Sequence, residues 1–232
     1  MGRVRVESMG GPLAAVPVSA PAAWGGCTEA GGDRRRHRYA DDYDRACEVE
    51  ALAEAVAIGG HEAEALILGD QPATTCYLPE HRAFLRWLAA SSAADLLAAA
   101  ERLLTNPATA WEDCGTWTTD GPAVLMDSVN AGADLHVENR GGGLPEQAPV
   151  PLPAGARKIR AVHTEADEHT WAGVVQLLDY SDPSSSSPIS TSCTKDVQNP
   201  SAASIHTGST ERRNSRTRCP AAVFTEVSSD SE

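Results

Sequence analysis

His163-Thr164-Glu165-Ala166-Asp167-Glu168-His169 sets two imidazoles and three carboxylates within seven positions, the donor types that hold a divalent metal. The same run lies between two β-prone segments and has the composition of a polar hairpin turn, which needs no metal. His61 beside Glu62 and Glu64, and His81 beside Glu80, read as surface residues. Asp41, Asp42, Asp44 and the pair Glu112-Asp113 are of the type that performs general acid and base chemistry. Exposed acid runs are the commoner reading, and no neighbour in sequence raises their pKa. The chain carries no GxSxG elbow, HExxH pair, phosphate-binding loop or GxGxxG turn, so hydrolase, zinc-peptidase and nucleotide-binding readings lose their strongest cues. Gly141-Gly142-Gly143 lacks the strand-then-helix setting of a phosphate cradle. No cofactor and no metal are therefore expected.

Charge and composition narrow the partners. The 232 residues hold 19 basic and 32 acidic side chains, and between Asp41 and Glu138 only four basic residues face 18 acids. Such an excess argues against nucleic acid as a direct partner. It fits a basic protein partner, although a solvated acidic surface that keeps a domain soluble is the commoner origin. Cys27, Cys47, Cys76, Cys114, Cys193 and Cys219 are widely spaced, with no CxxC pair, and no run is apolar enough to span a membrane. The start MGRVRVESMGGP lacks the apolar core of a secretory signal, so the expectation is a cytoplasmic protein with free thiols and no membrane contact.

All five tryptophans and all four tyrosines lie at or before Tyr180. The 52 residues after it contain one aromatic, Phe224, with 14 serines and six threonines. The expected organisation is one folded domain over residues 1–180 and a disordered serine-rich tail over 181–232 that cannot offset its ordering entropy.

Within the domain, Leu78 to Leu104 has apolar residues at helical spacing and reads as two helices. The first starts at Pro79 with Phe84, Leu85 and Leu88 on a buried stripe; the second starts at a Ser92/Asp95 cap with Leu96, Leu97, Ala100, Leu103 and Leu104 inward. Arg3 to Val18 reads as a strand, a Gly10-Gly11-Pro12 turn and an extended continuation. Residues 19–40 read as a loop docked by Trp24. Asp42 to Ile58 reads as helix or turn and then strand, entering a hairpin at Gly59-Gly60 with Ala65 to Leu68, and Thr74 to Leu78 as a short strand. Asp120-Gly121 between Trp111 to Trp117 and Pro122 to Asp127 signals another hairpin. Leu135 to Glu138 is a strand candidate, Arg140 to Gly155 a surface loop, and Lys158 to Thr164 with Thr170 to Leu178 a last hairpin. The sum is an α+β fold, a mostly antiparallel sheet of about six to eight strands with two main helices.

Several short pieces, in this order, resemble a known family: Glu7-Ser8-Met9-Gly10-Gly11-Pro12, Trp24-Gly25-Gly26, Asp42-Tyr43-Asp44, Leu68-Gly69-Asp70 with Pro72-Ala73-Thr74-Thr75, Tyr77-Leu78-Pro79, and Trp117 through Gly121-Pro122 to Asp127-Ser128. Over roughly residues 4–178 the chain is similar to the immunity proteins of bacterial polymorphic toxin systems, and specifically to the family called immunity protein 21. The resemblance implies a cytoplasmic protein that binds a cognate toxin domain one-to-one and blocks it without catalysis. The residues by themselves leave a second class open, a small acidic enzyme or metal-binding protein using the His163 to His169 turn. On the first reading, Asp41, Asp42, Asp44, Glu112 and Asp113 are the candidate partner-facing acids, because acids lie close together there. Gly10, Gly11, Pro12 and Trp24 are the candidates for an apolar interface.

Overall fold

The run Phe84-Leu85-Arg86-Trp87-Leu88, whose apolar spacing predicts a helix, is a β-strand. In the computed structural model, which describes residues 3–28, 41–60, 63–139 and 141–180, Ala83–Ala89 pairs with a strand on each side. The physical reason is burial on both faces: Phe84 points into one apolar cluster while Ala83 and Leu85 point into another, so the run is continuously apolar rather than alternating. Pro79 and Glu80 are turn residues, with the His81 amide donating to Leu78 O and the Arg82 amide to Pro79 O.

Eleven strands are described: β1 (Arg5–Val6), β2 (Leu13–Pro17), β3 (Glu54–Ile58), β4 (Ala63–Leu68), β5 (Thr74–Leu78), β6 (Ala83–Ala89), β7 (Glu112–Thr119), β8 (Ala123–Asp127), β9 (Gln147–Val150), β10 (Gly155–Asp167) and β11 (Thr170–Asp179). Two α-helices accompany them, α1 (Asp42–Cys47) and α2 (Ala93–Thr105). The strands form two antiparallel sheets, a first in the order β1-β5-β6-β11-β10-β7 and a second in the order β3-β4-β2-β8-β9. The fold is thus sheet-dominated, with more strands than expected and one full-length helix where two were expected.

Three apolar layers follow from the alternation of the strands. Leu13, Leu66, Leu68, Phe84, Trp117, Leu125, Ile159 and Val175 fill the space between the sheets. On the outer face of the first sheet, Leu96, Ala99 and Ala100 of α2 pack on Leu85, Val162 and Val174. The Ser92 cap predicted for α2 is formed, its hydroxyl accepting the Asp95 amide at 3.1 Å. On the outer face of the second sheet, Ala46 of α1, Trp24 and Leu135 cover Ala14, Val16, Ile67 and Met126.

The β3–β4 hairpin at Gly59-Gly60 and the β10–β11 hairpin stand where the sequence places them, and Asp42 to Ile58 does divide into helix and strand. The Asp120-Gly121 turn is different. It joins β7, which pairs with β10 in the first sheet, to β8, which pairs with β2 and β9 in the second, so it is a corner between sheets and not a hairpin. The two β-prone runs flanking Asp120-Gly121 put Trp117 and Leu125 into the same inter-sheet core from opposite sides. β1 and β2 likewise enter different sheets across Gly10-Gly11-Pro12. Leu135 to Glu138 is no strand: a 3-10 turn at Gly132–Asp134 delivers Leu135 into the outer cluster. The expected surface loop after Arg140 contains β9, an edge strand paired only with β8, where Pro149 is tolerated because its missing N–H leaves no ladder bond to a strand on the open side unmade. The expected tail at 181–232 with Cys193 and Cys219 within it, residues 29–40 of the expected loop, and His61 with Glu62 lie outside the described residues. Cys27, Cys47, Cys76 and Cys114 form no disulfide.

Candidate functional site

Asp127 ends β8 and is 3% exposed, with a carboxylate that organises the turn preceding β2. Its Oδ2 accepts the Met9 amide at 2.6 Å and its Oδ1 accepts the Val129 amide at 3.0 Å. Burial pushes this carboxyl above the ordinary range, and the two amides oppose that shift. The turn is closed from within by Ser8, whose hydroxyl donates to Gly11 O at 2.5 Å and accepts the Gly10 amide at 3.1 Å. The Ser128 amide then donates to Pro12 O. Sequence alone quotes Asp127 and Ser128 in a family-like piece but does not single them out, because their partners lie more than a hundred positions away.

A second loop locks onto the first. Trp24 is fully buried, and its indole N–H donates to Ser128 O at 3.0 Å, as expected of a docking anchor. The Gly25 amide donates to Asp42 Oδ2 at 2.7 Å, the Cys27 amide to Val129 O and the Gly132 amide to Trp24 O. Gly26 takes φ +63°, and a Cβ there would come within 2.5 Å of the Asn130 backbone, so the close approach of these loops requires glycine. At Gly11 a Cβ would stand 2.6 Å from the Tyr43 ring, which fixes α1 against the Gly10 to Pro12 turn.

The structure thereby brings together Gly10, Gly11, Pro12, Trp24, Asp41, Asp42 and Asp44. Asp41 is the N-cap of α1, its Oδ1 accepting the Asp44 amide at 2.9 Å and its Oδ2 the Thr28 amide at 2.8 Å. Asp42 holds the Gly25 amide and pairs with Arg45, whose guanidinium also donates to Ala57 O. These acids shape the loops before they meet anything else. Cys27 sits beside them, and burial followed by Asp41 and Asp44 raises its thiol, which keeps it protonated and a poor nucleophile.

Glu112 and Asp113 are elsewhere, at the start of β7 on the edge of the first sheet. Asp113 pairs with Lys158 at 2.8 Å, and that contact with the Gly115 amide holds its carboxyl low. The histidine run is also dispersed. His169 lies in the β10–β11 turn, where its amide donates to Asp167, while His163 is inside β10 opposite Gly173. Among the described residues, no three His, Cys, Asp or Glu side chains are gathered as metal ligands.

His163 instead belongs to a group that sequence reasoning missed. Its Nδ1 is 2.8 Å from Asp70 Oδ2 and its Nε2 is 3.2 Å from Arg86 Nη1. Arg86, 1% exposed, also donates to Gly69 O and Gln71 O and so clamps the Leu68 to Pro72 turn onto the first sheet. Burial lowers the Arg86 guanidinium to about 10. The available signal was the single charge inside Phe84-Leu85-Arg86-Trp87-Leu88, since a cation in a strand buried on both faces must meet acceptors.

The arrangement positions loops rather than reacting atoms. Four of the pieces that carry the family resemblance meet here, the Gly10 turn, the Trp24 loop, α1 and Asp127-Ser128, in one hydrogen-bonded assembly at the end of the second sheet, while Gly69 is held by Arg86 and Tyr77-Leu78 lies in β5. A family model described as immunity protein 21 matches residues 4–170 of the chain. No curated protein matches it, and no solved structure does.

Proposed function

The chain belongs to the immunity protein 21 family, and from that premise we propose that it binds and neutralises the cognate toxin domain of a polymorphic toxin system, one-to-one and without catalysis, in the cytoplasm. The observation that carries this reading is the convergence of four of the family-like pieces, the Gly10 turn, the Trp24 loop, α1 and Asp127-Ser128, on one hydrogen-bonded set of loops. A catalytic family would be expected to gather its characteristic residues around reactive side chains. Here they are glycines at close approaches, a buried indole and carboxylates that hold backbone amides, which is the equipment of a shaped surface. The acidic balance of the chain adds support, because complementary charge speeds association with a basic partner. The alternative of an enzyme or metal protein built on His163 to His169 has less support, since the β10–β11 ladder separates the two imidazoles.

Co-expression tests the proposal. The full chain, produced with the toxic C-terminal domain encoded beside its gene, should restore growth and co-purify with that domain at one-to-one stoichiometry. Growth arrest that persists while the chain accumulates in soluble form would defeat it.

A further inference from the structure

Met9 is 76% exposed, the highest exposure of any large apolar side chain among the described residues. It does not stand on a loose segment. Its own amide is fixed by Asp127, the residue before it closes the turn through the Ser8 hydroxyl, and Gly11 is pressed against Tyr43. A large apolar side chain held outward by a fixed backbone loses little backbone entropy on docking, the condition under which one residue contributes strongly to binding.

Its surroundings specify a partner. Leu144 is 55% exposed, two positions from Glu146, whose carboxylate accepts the Glu7 amide at 2.7 Å. Val137 is 49% exposed, just beyond the Leu135 carbonyl that accepts from Gln147 Nε2. These residues stand on loops linked by hydrogen bonds to the Met9 turn or its neighbours. Over residues 7–12, 24–28, 41–50, 127–139 and 141–147 there are, besides the buried Asp127, nine acidic side chains and one arginine, Arg45, which Asp42 and Ala57 O already occupy. An apolar point set among acids is complementary to an apolar pocket rimmed by lysine and arginine.

We infer that Met9 is the central apolar anchor of the toxin-binding surface, and that the toxin domain receives it in an apolar pocket flanked by cationic side chains. The inference rests on the immunity reading. It differs from the expected site of Gly10, Gly11, Pro12 and Trp24 in that those residues build the turn, three of the four buried behind it, whereas Met9 makes the contact.

The test uses the full chain and the purified toxin domain from the neighbouring gene, with affinity measured by calorimetry. Met9→Asp should weaken binding by about 100-fold or more and Met9→Ala by about tenfold. Both variants should keep the wild-type melting temperature, since the side chain is mostly in solvent. Trp171→Ala, at another exposed apolar side chain but on β11 of the first sheet, should bind as the wild type does. Wild-type affinity retained by both Met9 variants would overturn the anchor while leaving the immunity reading in place. Failure of the wild-type chain to bind the toxin domain at all would overturn that reading, and the anchor with it.

Discussion

The Met9 amide and the Asp127 carboxylate, 118 positions apart, meet at 2.6 Å, and this bond ties the turn between the two sheets to the end of β8. Removing the carboxylate strands two donors at once, the amides of Met9 and Val129. Asp127→Ala should therefore destabilise the fold by about 2–4 kcal/mol, and Asp127→Asn, which keeps one acceptor, by about half as much. Urea unfolding of the three proteins checks the order. A neutral Asp127→Ala would mean that water satisfies both amides and that the turn is not held from β8.

His163 gives a pH dependence whose sign follows from its partners. Arg86 can only donate, so His163 Nε2 must accept and Nδ1 must carry the proton toward Asp70. Burial, then the Arg86 charge, lowers the imidazole below its ordinary 6.5, against the pull of Asp70. The unfolded chain consequently binds this proton at a higher pH than the folded one. The contribution to stability is whole above about 6.5 and is lost as pH falls from there through the folded value. The His163 ring resonance should titrate with a midpoint below 6.5, and the wild type should lose more stability between pH 7.5 and 5.0 than His163→Gln does. Equal losses, or a midpoint above 6.5, would show that the clamp on the Leu68 to Pro72 turn is not of this kind.

The strand reading of Ala83–Ala89 reverses one expectation about mutations. If Leu88 lay on the stripe of a buried helix, Leu88→Ala would leave a cavity costing about 2–4 kcal/mol. In the structure Leu88 is half-buried at an irregularity in pairing, between the Trp87–Ala172 and Ala89–Trp171 partners, while Leu85 is 1% exposed beneath α2. Leu85→Ala should therefore cost about 2–4 kcal/mol and Leu88→Ala less than half of that. Thermal or denaturant unfolding of the pair checks it, and the reverse order would restore the helical reading.

That contrast shows which parts of the fold were legible in the sequence. Features decided within a few residues were readable: the Ser92 cap, the Gly59-Gly60 turn and the β10–β11 hairpin. Features decided by distant partners were not. Phe84 to Leu88 fits helical and doubly buried strand spacing equally, and only the flanking β5 and β11 settle it. Asp120-Gly121 has the chemistry of a hairpin turn, yet β10 and β2 claim the strands on either side. In the candidate site the glycines and acids were visible, but their roles as close-approach points and helix cap depend on contacts such as Gly11 with Tyr43.

Composition also predicts that the chain can end at Tyr180 without loss, because the 52 residues after it hold one aromatic, Phe224, and few large apolar side chains, and β11 closes at Asp179. A chain of residues 1–180 should be soluble and within about 1 kcal/mol of the full-length protein by denaturant unfolding. Insolubility or a larger loss would place part of residues 181–232 in the core.

Charge steering supplies the last prediction, and the structure decides which acids can test it. Reversal at Asp41 or Asp42 is a poor probe, because Asp41 caps α1 and Asp42 holds the Gly25 amide, so Asp41→Lys should itself cost about 1–2 kcal/mol. Glu48 and Glu50 follow the same helix, are exposed and hold no backbone amide in the described contacts. Glu48→Lys with Glu50→Lys should leave stability within about 0.5 kcal/mol yet slow association with the toxin domain several-fold. Asp113→Lys, on the β7 edge of the first sheet, should leave the association rate unchanged. Raising ionic strength from about 0.05 to 0.5 M shortens the screening length from roughly 14 to 4 Å, and the wild-type on-rate should fall by about tenfold while the off-rate changes less. Stopped-flow kinetics of the wild type, the Glu48/Glu50 double variant and the Asp113 variant separates the possibilities. A rate indifferent to salt and to Glu48 and Glu50 would leave the apolar contact of Met9 to carry recognition without steering. A rate that responds to Asp113 instead would move the partner to the edge of the first sheet.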